Sequence, residues 1–266
     1  MKNEYISIAE EAARKAGSFL LMQLDKKRDI YYKSEDHKDP FSKVDLGAEK
    51  IILTTIGDAF PEHSFLSEEG GGKESASDFK WVIDPLDGTI NLNHNLRHFA
   101  VSISLLNKKQ IITGVIYNPN TDEMFSAALD EGAYLNGVKM QVSEVSVLEE
   151  SLLAVAFPYD RKSEAFRKSE KNFLRLQRDS QAVRRAGSAA LDLFNVACGR
   201  YDGFCVIGDK LWDYAAGILL VTEAGGKVTD FNGRQFTINS AKNEVLATNG
   251  KIHEAILKCF KEEKTA

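Results

Sequence analysis

Apolar residues in the first 60 positions recur at the three- and four-residue intervals of amphipathic helices. They predict one helix from about residue 5 to residue 24, followed by the polar loop YYKSEDHKD. A second helix is expected to begin near Ser42 and to end before Pro61, because a proline ring without an N–H cannot continue a helix. The chain therefore opens with two helices.

The pattern then changes to that of strands. The runs FAVSISLL, IITGVIYNP, EMFSAAL and GAYLNG predict an antiparallel meander, with Asn136-Gly137 as a hairpin turn. From residue 151 onwards strands and helices alternate, which indicates stacked layers of sheet and helix. We expect a layered α+β or α/β sandwich in one domain, with a metal-binding α+β half at 1–145 and an α/β half at 146–266.

Composition excludes several classes of protein. The 266 residues are 43% hydrophobic and 27% charged, as in ordinary globular proteins. A net charge of −5 with mixed signs argues against a nucleic acid polymer as partner. Three cysteines without C-x-x-C spacing favour a reducing, cytoplasmic setting. We find neither a signal-peptide core nor about 18 consecutive apolar residues, so no membrane association is expected.

The stretch WVIDPLDGTI at residues 81–90 places two carboxylates directly after a buried-looking strand. We expect Asp84 to emerge at the sheet edge, where Pro85 ends the ladder, and Gly88 to permit a turn that points Asp84 and Asp87 at one place. Two desolvated carboxylates repel each other unless a cation binds both. Ligands that are all oxygen favour Mg²⁺, which commonly bridges to a phosphate.

Other acidic residues lie in similar settings. Glu68 and Glu69 follow an apolar run and precede three glycines, and Asp213 follows Trp212 at the start of an apolar helix. On the residues alone, the first pair and the D-x-x-D-G turn also fit solvated loops. Asp213 equally fits a helix N-cap.

Taken together, the motifs SEEGG, WVIDPLDGTINL and WDYAAGILLVTEAGG resemble those of the inositol monophosphatase family, within the lithium-sensitive, Mg²⁺-dependent phosphatases. The similarity runs from the KDPFSKVD loop to the C-terminal helix. It implies an αβαβα sugar-phosphatase fold, two to three Mg²⁺ ions with Mn²⁺ as an alternative, inhibition by Li⁺, and a homodimer. It further implies a phosphate monoester substrate that is hydrolysed by an activated water.

The resemblance also implies a role for each residue that matches a motif. The metal ligands would be Glu68, Asp84, the carbonyl of Leu86, Asp87 and Asp213. Thr89, hydrogen-bonded to Asp39, would orient and deprotonate the attacking water. Residues implied to contact the substrate are Asp87, Gly88, Thr89, Gly187, Ser188, Ala189 and Asp213.

One position departs from the family pattern. Seven residues before Asp213, where inositol-hydrolysing members carry a glutamate that binds ring hydroxyls, this chain has Val206. Asp209 in the same loop is a candidate replacement. The alternative is another substrate, since relatives act on fructose bisphosphate, histidinol phosphate, 3′-phosphoadenosine phosphates or NADP. A non-catalytic regulator that binds metal or a phospholigand is the remaining alternative, because a fold alone does not establish activity.

Overall fold

The computed structural model of the chain describes residues 2–26, 30–32, 40–70, 72–208, 210–238 and 244–261. The helices within these residues are α1 (Lys2–Leu21), α2 (Lys43–Ala59), α3 (Thr89–Asn93), α4 (Glu164–Asp179), α5 (Ala189–Ala197), α6 (Leu211–Glu223) and α7 (His253–Lys261). No helix in this part of the chain is both long enough and apolar enough to cross a bilayer.

The strands form a short hairpin and two sheets. The hairpin is β1 (Ile30–Tyr32) with β2 (Pro40–Ser42). The first sheet follows chain order: β3 (Ser64–Ser67), β4 (Phe79–Asp87), β5 (Ala100–Asn107), β6 (Gln110–Asn118), β7 (Glu123–Ala128), β8 (Gly132–Leu135) and β9 (Val138–Lys139). The second sheet contains β10 (Leu152–Val155), β11 (Ala182–Arg184), β12 (Gly203–Ile207), β13 (Lys227–Thr229) and β14 (Glu244–Thr248), in the order β11-β10-β12-β14-β13.

Three hydrophobic clusters stack the helices and sheets into five layers. One cluster joins α1 and α2 to the first sheet through residues such as Ala12, Ile52 and Ile103. A second cluster places α5 and α6 between the two sheets, and a third packs α4 and α7 on the outer face of the second sheet. The order is therefore helix, sheet, helix, sheet, helix, which confirms the predicted layered fold. The two sheets share the central helices, and the division into halves at residue 145 stays a prediction.

The meander is antiparallel as predicted, but the acidic strand β4 differs from the expectation. It is an interior strand between β3, to which it is parallel, and β5, to which it is antiparallel. Asp84 pairs with Ser102 and Asp87 with Ala100, so three steps along β4 oppose two along β5. The expectation that Pro85 ends the ladder at a sheet edge is wrong. The extra residue forms a β-bulge, where a residue without an N–H is tolerated.

Candidate metal and phosphate site

The parallel pairing of β3 and β4 brings the first two carboxylates together. Ser67 lies opposite Ile83, and the Glu68 amide donates a hydrogen bond to the Ile83 carbonyl at 3.2 Å. The parallel ladder between β3 and β4 ends with this pair, so the next residues of the two chain segments lie side by side. Those residues are Glu68 and Asp84.

The third carboxylate comes from the first turn of α6. The Trp212 carbonyl accepts a hydrogen bond from the Ser102 hydroxyl of β5 at 3.2 Å, which fixes this turn over the first sheet. Asp213 is the third residue of α6 and accepts from the Lys210 amide at 2.6 Å, so the N-cap position belongs to Lys210. One carboxylate oxygen from each of Glu68, Asp84 and Asp213 lies within 4.8 Å of the others. This group is called the carboxylate cluster below.

Asp87 lies beside the carboxylate cluster and binds the N-terminus of α5. Its Oδ2 accepts hydrogen bonds from the Ser188 hydroxyl and from the Ala190 amide at 2.8 Å, and its Oδ1 accepts from the Ala189 amide at 3.3 Å. Free amides at a helix start stabilise an anion. Asp87 therefore fixes Gly187, Ser188 and Ala189 against the acidic strand.

The hydroxyl of Thr89 has a buried carboxylate partner that the sequence did not identify. Thr89 Oγ1 lies 3.0 Å from Asp45 Oδ1 and 3.1 Å from the Leu86 carbonyl oxygen, both of which can accept its proton. The other oxygen of Asp45 accepts from the amide and the hydroxyl of Ser42, at 2.8 and 2.7 Å. The predicted partner Asp39 lies outside the described residues, and its pairing with Thr89 stays a prediction.

Gly88 turns the chain from β4 into the short helix α3. Its φ of 102° is a left-handed conformation, and a Cβ there would lie 3.0 Å from the His98 carbonyl oxygen. The amide of Asn91 donates to the carbonyls of His98 and Ala186 at 2.7 and 2.9 Å. Asn91, which the sequence analysis missed, thus holds the loop before α5 close to α3.

All described residues of the predicted site line one cavity of about 190 Å³. Ile90, Asn91 and Arg185 also line it, together with the start of the loop after β10. The predicted residues among its walls are Glu68, Asp84, Leu86, Asp87, Gly88, Thr89, Gly187, Ser188, Ala189 and Asp213. The α3 turn and the α5 N-terminus face the same space as the carboxylate cluster.

Burial raises the pKa of three carboxyl groups in and beside this cavity. Burial first, and then the charges of Glu68, Asp87 and Asp213, hold the pKa of Asp84 well above its usual value. The pKa of Asp87 rises to about 6, mainly through burial, although the hydrogen bonds from α5 oppose the rise. Burial also raises the pKa of Asp45.

These observations test whether a divalent cation fits the site. Asp84 is 1% exposed and is surrounded by other carboxylates, so its ionised form is costly without a nearby positive charge. The donors are oxygens only, a set that suits Mg²⁺ rather than a soft metal ion. The residues therefore fit a hard cation at the carboxylate cluster.

Val206 does not face this cavity. It is 1% exposed, lies on β12 and belongs to the apolar cluster between the sheets. Val206 is not among the described residues that line the cavity, so the structure does not support its interpretation as a substrate-facing position. Asp209 lies outside the described residues. Glu69 is absent from the described cavity walls, so of the SEEGG pair only Glu68 joins the site.

Comparison with known proteins agrees with this fold. Residues 1–265 match the model of the inositol monophosphatase family. The Nus factor SuhB of Pseudomonas aeruginosa is 40% identical over 256 residues, covering 95% of this chain and 94% of that protein. The inositol-1-monophosphatase of Synechocystis is 41% identical over 253 residues, covering 95% and 87%. The structure of inositol monophosphatase from Anabaena superposes with a TM-score of 0.86 at 39% identity, covering 97% of this chain and 95% of that one.

The layered fold is thus that of the inositol monophosphatase-like sugar phosphatases. The chain belongs to the inositol monophosphatase family.

Proposed function

We propose that the chain is a Mg²⁺-dependent phosphomonoesterase that hydrolyses a small phosphorylated metabolite, with inositol monophosphate as the first substrate to test. The observation that carries the proposal is the convergence, on one cavity, of the carboxylate cluster, of Asp87 and of a threonine hydroxyl with a buried carboxylate partner. A site that only binds metal needs no such hydroxyl. Family membership and the relative named inositol-1-monophosphatase also support the proposal.

In this proposal Glu68, Asp84, Asp87, Asp213 and the carbonyl of Leu86 hold two to three Mg²⁺ ions. When bound, such ions neutralise charge on the phosphate, lower the pKa of a water and stabilise the leaving alkoxide. The proposed ligands come from β4, from the residue directly after β3 and from α6, and the hydrogen bond from Ser102 of β5 to the Trp212 carbonyl joins α6 to the same sheet. Their relative positions are therefore set by the packing of these elements, and the Glu68 amide is held by the Ile83 carbonyl of β4.

The role proposed for Thr89 is to orient the attacking water. Its single hydroxyl proton can be donated to Asp45, which leaves the oxygen lone pairs free to accept a proton from water. Asp39 remains the second carboxylate proposed for this step, from the resemblance alone. Substrate contacts are proposed for Gly88 at the start of α3 and for Gly187, Ser188 and Ala189 at the start of α5.

The test is phosphate release by the purified chain on a panel of monoesters. The panel contains inositol 1-phosphate, fructose 1,6-bisphosphate, histidinol phosphate, 3′-phosphoadenosine 5′-phosphate and NADP. We expect turnover that requires Mg²⁺, is partly restored by Mn²⁺ and is inhibited by Li⁺. An Asp84→Asn protein purified in parallel controls for contaminating phosphatases. Equal turnover in excess EDTA would contradict the proposal.

A regulatory, non-catalytic role is the second candidate, and the relatives named Nus factor SuhB favour it. In that case Mg²⁺ would raise the melting temperature of the chain, because ligands that bind the folded state stabilise it. No ester on the panel would be hydrolysed. Mg²⁺ would stabilise a catalytic chain as well, so phosphate release on the panel is the measurement that separates the candidates.

We further propose a cytoplasmic homodimer, an assembly taken from the family resemblance. Light scattering of the purified chain at micromolar concentration is expected to give about twice the monomer mass of 29.6 kDa. A mass that stays at the monomer value across the concentration range would contradict the dimer without bearing on catalysis.

A further inference from the structure

The side-chain amide of Asn91 joins α3 to a segment 95 residues away in the chain. Its Nδ2 lies 2.9 Å from the carbonyl oxygen of Ala186 and 3.3 Å from that of Gly187, both in the loop before α5. The same nitrogen lies 2.7 Å from the His98 carbonyl oxygen, in the segment between α3 and β5. An amide nitrogen carries only two hydrogens. The backbone carbonyls therefore use both of them, and Asn91 has no N–H left to donate to a substrate.

The α3 side of this connection is fixed in the core. Asn91 and His98 are each followed by a fully buried residue. These residues are Leu92 and Phe99, and both belong to the cluster that joins α1 and α2 to the first sheet. The Asn91 carbonyl also accepts a hydrogen bond from the Leu96 amide at 2.8 Å. Because close-packed cores resist displacement, the Asn91 amide holds the loop before α5 in place rather than following it.

The loop before α5 reaches this amide through a glycine. Gly187 has a φ of 83°, and a Cβ at this position would lie 3.3 Å from Asn91 Nδ2. Glycine adopts this left-handed conformation without steric cost and permits the close approach. The loop then enters α5, whose first turn hydrogen-bonds to Asp87. The start of α5 thus has two connections to the β4–α3 segment, one through Asp87 and one through Asn91.

The two connections differ in charge. Asp87 is a proposed metal ligand, so its oxygens would be shared between a metal ion and the hydrogen bonds from α5. Asn91 is neutral and 7% exposed, and its hydrogen bonds to backbone carbonyls involve no group that would bind metal. The loop that Asn91 holds forms one wall of the cavity, through residues 185–189. The connection through Asn91 therefore keeps this wall in place in the metal-bound state as well.

We propose that Asn91 is a positioning residue for the alcohol portion of the substrate. It holds the loop before α5 at the distance from the carboxylate cluster at which Gly187, Ser188 and Ala189 contact that portion, while the metal ions hold the phosphate. The inference rests on the proposed phosphatase function. It assigns Asn91 to ester binding rather than to the chemical step.

The test replaces Asn91 by leucine, which is similar in size but has no N–H. With the panel ester that has the highest kcat/KM, we expect KM to rise at least about tenfold and kcat to change less than about threefold, because a displaced wall weakens binding of the alcohol portion. Inorganic phosphate lacks that portion, so its inhibition constant should change less than about twofold. A merely structural role would lower the free energy of unfolding and leave the KM of the folded enzyme unchanged.

Asn93→Leu is the matched control. Asn93 lies on the same short helix, and neither polar atom of its side chain has a hydrogen-bond partner in the described part of the chain. It lines neither of the described cavities. This variant should keep the wild-type KM, with an equal or higher free energy of unfolding, because it removes a buried amide that makes no hydrogen bond. Asn91→Asp removes both N–H groups without adding an apolar side chain, and it should show the same rise in KM if the leucine variant does not fold.

Hydrogen exchange gives a readout that needs neither substrate nor turnover. With Mg²⁺ present, the amides of residues 186–192 are expected to exchange at least about tenfold faster in Asn91→Leu than in the wild type, whereas the amides of α6 should keep their rates. Unchanged exchange at residues 186–192 would overturn the positioning role. Faster exchange without a rise in KM would overturn it as well.

A wild-type chain that hydrolyses no ester of the panel would contradict the phosphatase function and not the positioning role of Asn91. Calorimetric titration of the panel esters and of inorganic phosphate, with Mg²⁺ present, then decides the role. Weaker binding of an ester by Asn91→Leu, with equal binding of inorganic phosphate, would support it. Equal binding of the esters by the variant and the wild type would overturn it.

Discussion

Replacing Asp84 by asparagine is expected to lower kcat about a thousandfold while making the metal-free protein more stable. The activity falls because the variant loses the most buried charge of the carboxylate cluster, and several kcal/mol of charge stabilisation correspond to about three decades of rate. Asparagine keeps an oxygen that can accept the Leu86 amide, which now lies 2.9 Å from Asp84 Oδ1. The turn after β4 should therefore keep its shape.

The gain in stability follows from the raised pKa of Asp84. In the unfolded chain this carboxyl ionises near its ordinary value of 3.8, whereas in the fold it keeps its proton to well above that value. Between these two pKa values unfolding therefore releases a proton, so the free energy of unfolding falls as the pH rises from 3.8 towards the folded-state pKa. Asparagine does not titrate and so removes this loss. We expect the free energy of unfolding of the variant to be about 1–3 kcal/mol higher than that of the wild type in EDTA at pH 8.

A second buried carboxylate provides the matched control. Asp192 on α5 is 1% exposed, neither of its oxygens has a hydrogen-bond partner among the described residues, and burial together with the charge of Asp87 raises its pKa. It does not line the described cavity walls. Asp192→Asn should therefore raise metal-free stability in the same way and keep its activity. Urea unfolding in EDTA and phosphate release in Mg²⁺ measure both effects, and an Asp84→Asn enzyme with near wild-type kcat would contradict the metal assignment.

The helices and most strands were predictable because each has a regular apolar period. α2 begins after Ser42, whose hydroxyl accepts the Val44 amide, and ends before Pro61 as expected. The hairpin at Asn136-Gly137 has positive φ at both residues, which the Asn-Gly pair favours. Signals of this kind act over a few residues and need no knowledge of the tertiary fold.

The bulge in β4 was not predictable from local preference. Pro85 on its own indicates the end of a strand, and only the pairing of Asp87 with Ala100 of β5 shows that the ladder continues past it. The carboxylate cluster likewise depends on a parallel contact and on α6 packing over the first sheet. Its members could be named by family resemblance, whereas their approach to within 4.8 Å is a property of the fold.

Val206 and Asp45 show the two kinds of error in the sequence interpretation. Val206 was chosen by its position in a motif, but its side chain lies among apolar residues between the sheets. Asp45 was overlooked, although Ser42 and Asp45 have the spacing of a capping box. That motif accounts for the contact of one Asp45 oxygen with Ser42. The contact of the other oxygen with Thr89 joins residues 44 positions apart, and no local pattern indicates it.

The contact between Asp45 and Thr89 leads to the second prediction with a large effect on activity. Replacing Asp45 by asparagine should lower kcat about 10- to 100-fold, the usual range for a residue that orients a functional group without touching the reacting atoms. The variant keeps one acceptor oxygen for either Ser42 or Thr89 but loses the charge that accepts the Thr89 proton. The Mg²⁺ concentration for half-maximal activity should stay nearly unchanged, because Asp45 is not among the proposed ligands.

Ser42→Ala is the control that separates the two bonds of Asp45. It removes the hydroxyl at the α2 N-cap, so we expect a loss of about 1 kcal/mol in the free energy of unfolding. It leaves the 3.0 Å contact between Asp45 and Thr89 in place, so kcat should change little. A purely structural role for Asp45 predicts the opposite pattern, with both variants losing stability and neither losing kcat once folded. Steady-state kinetics at saturating Mg²⁺, with urea unfolding of the same preparations, distinguishes the positioning role of Asp45 from the structural one. Only a positioning role lowers kcat in Asp45→Asn while Ser42→Ala stays active.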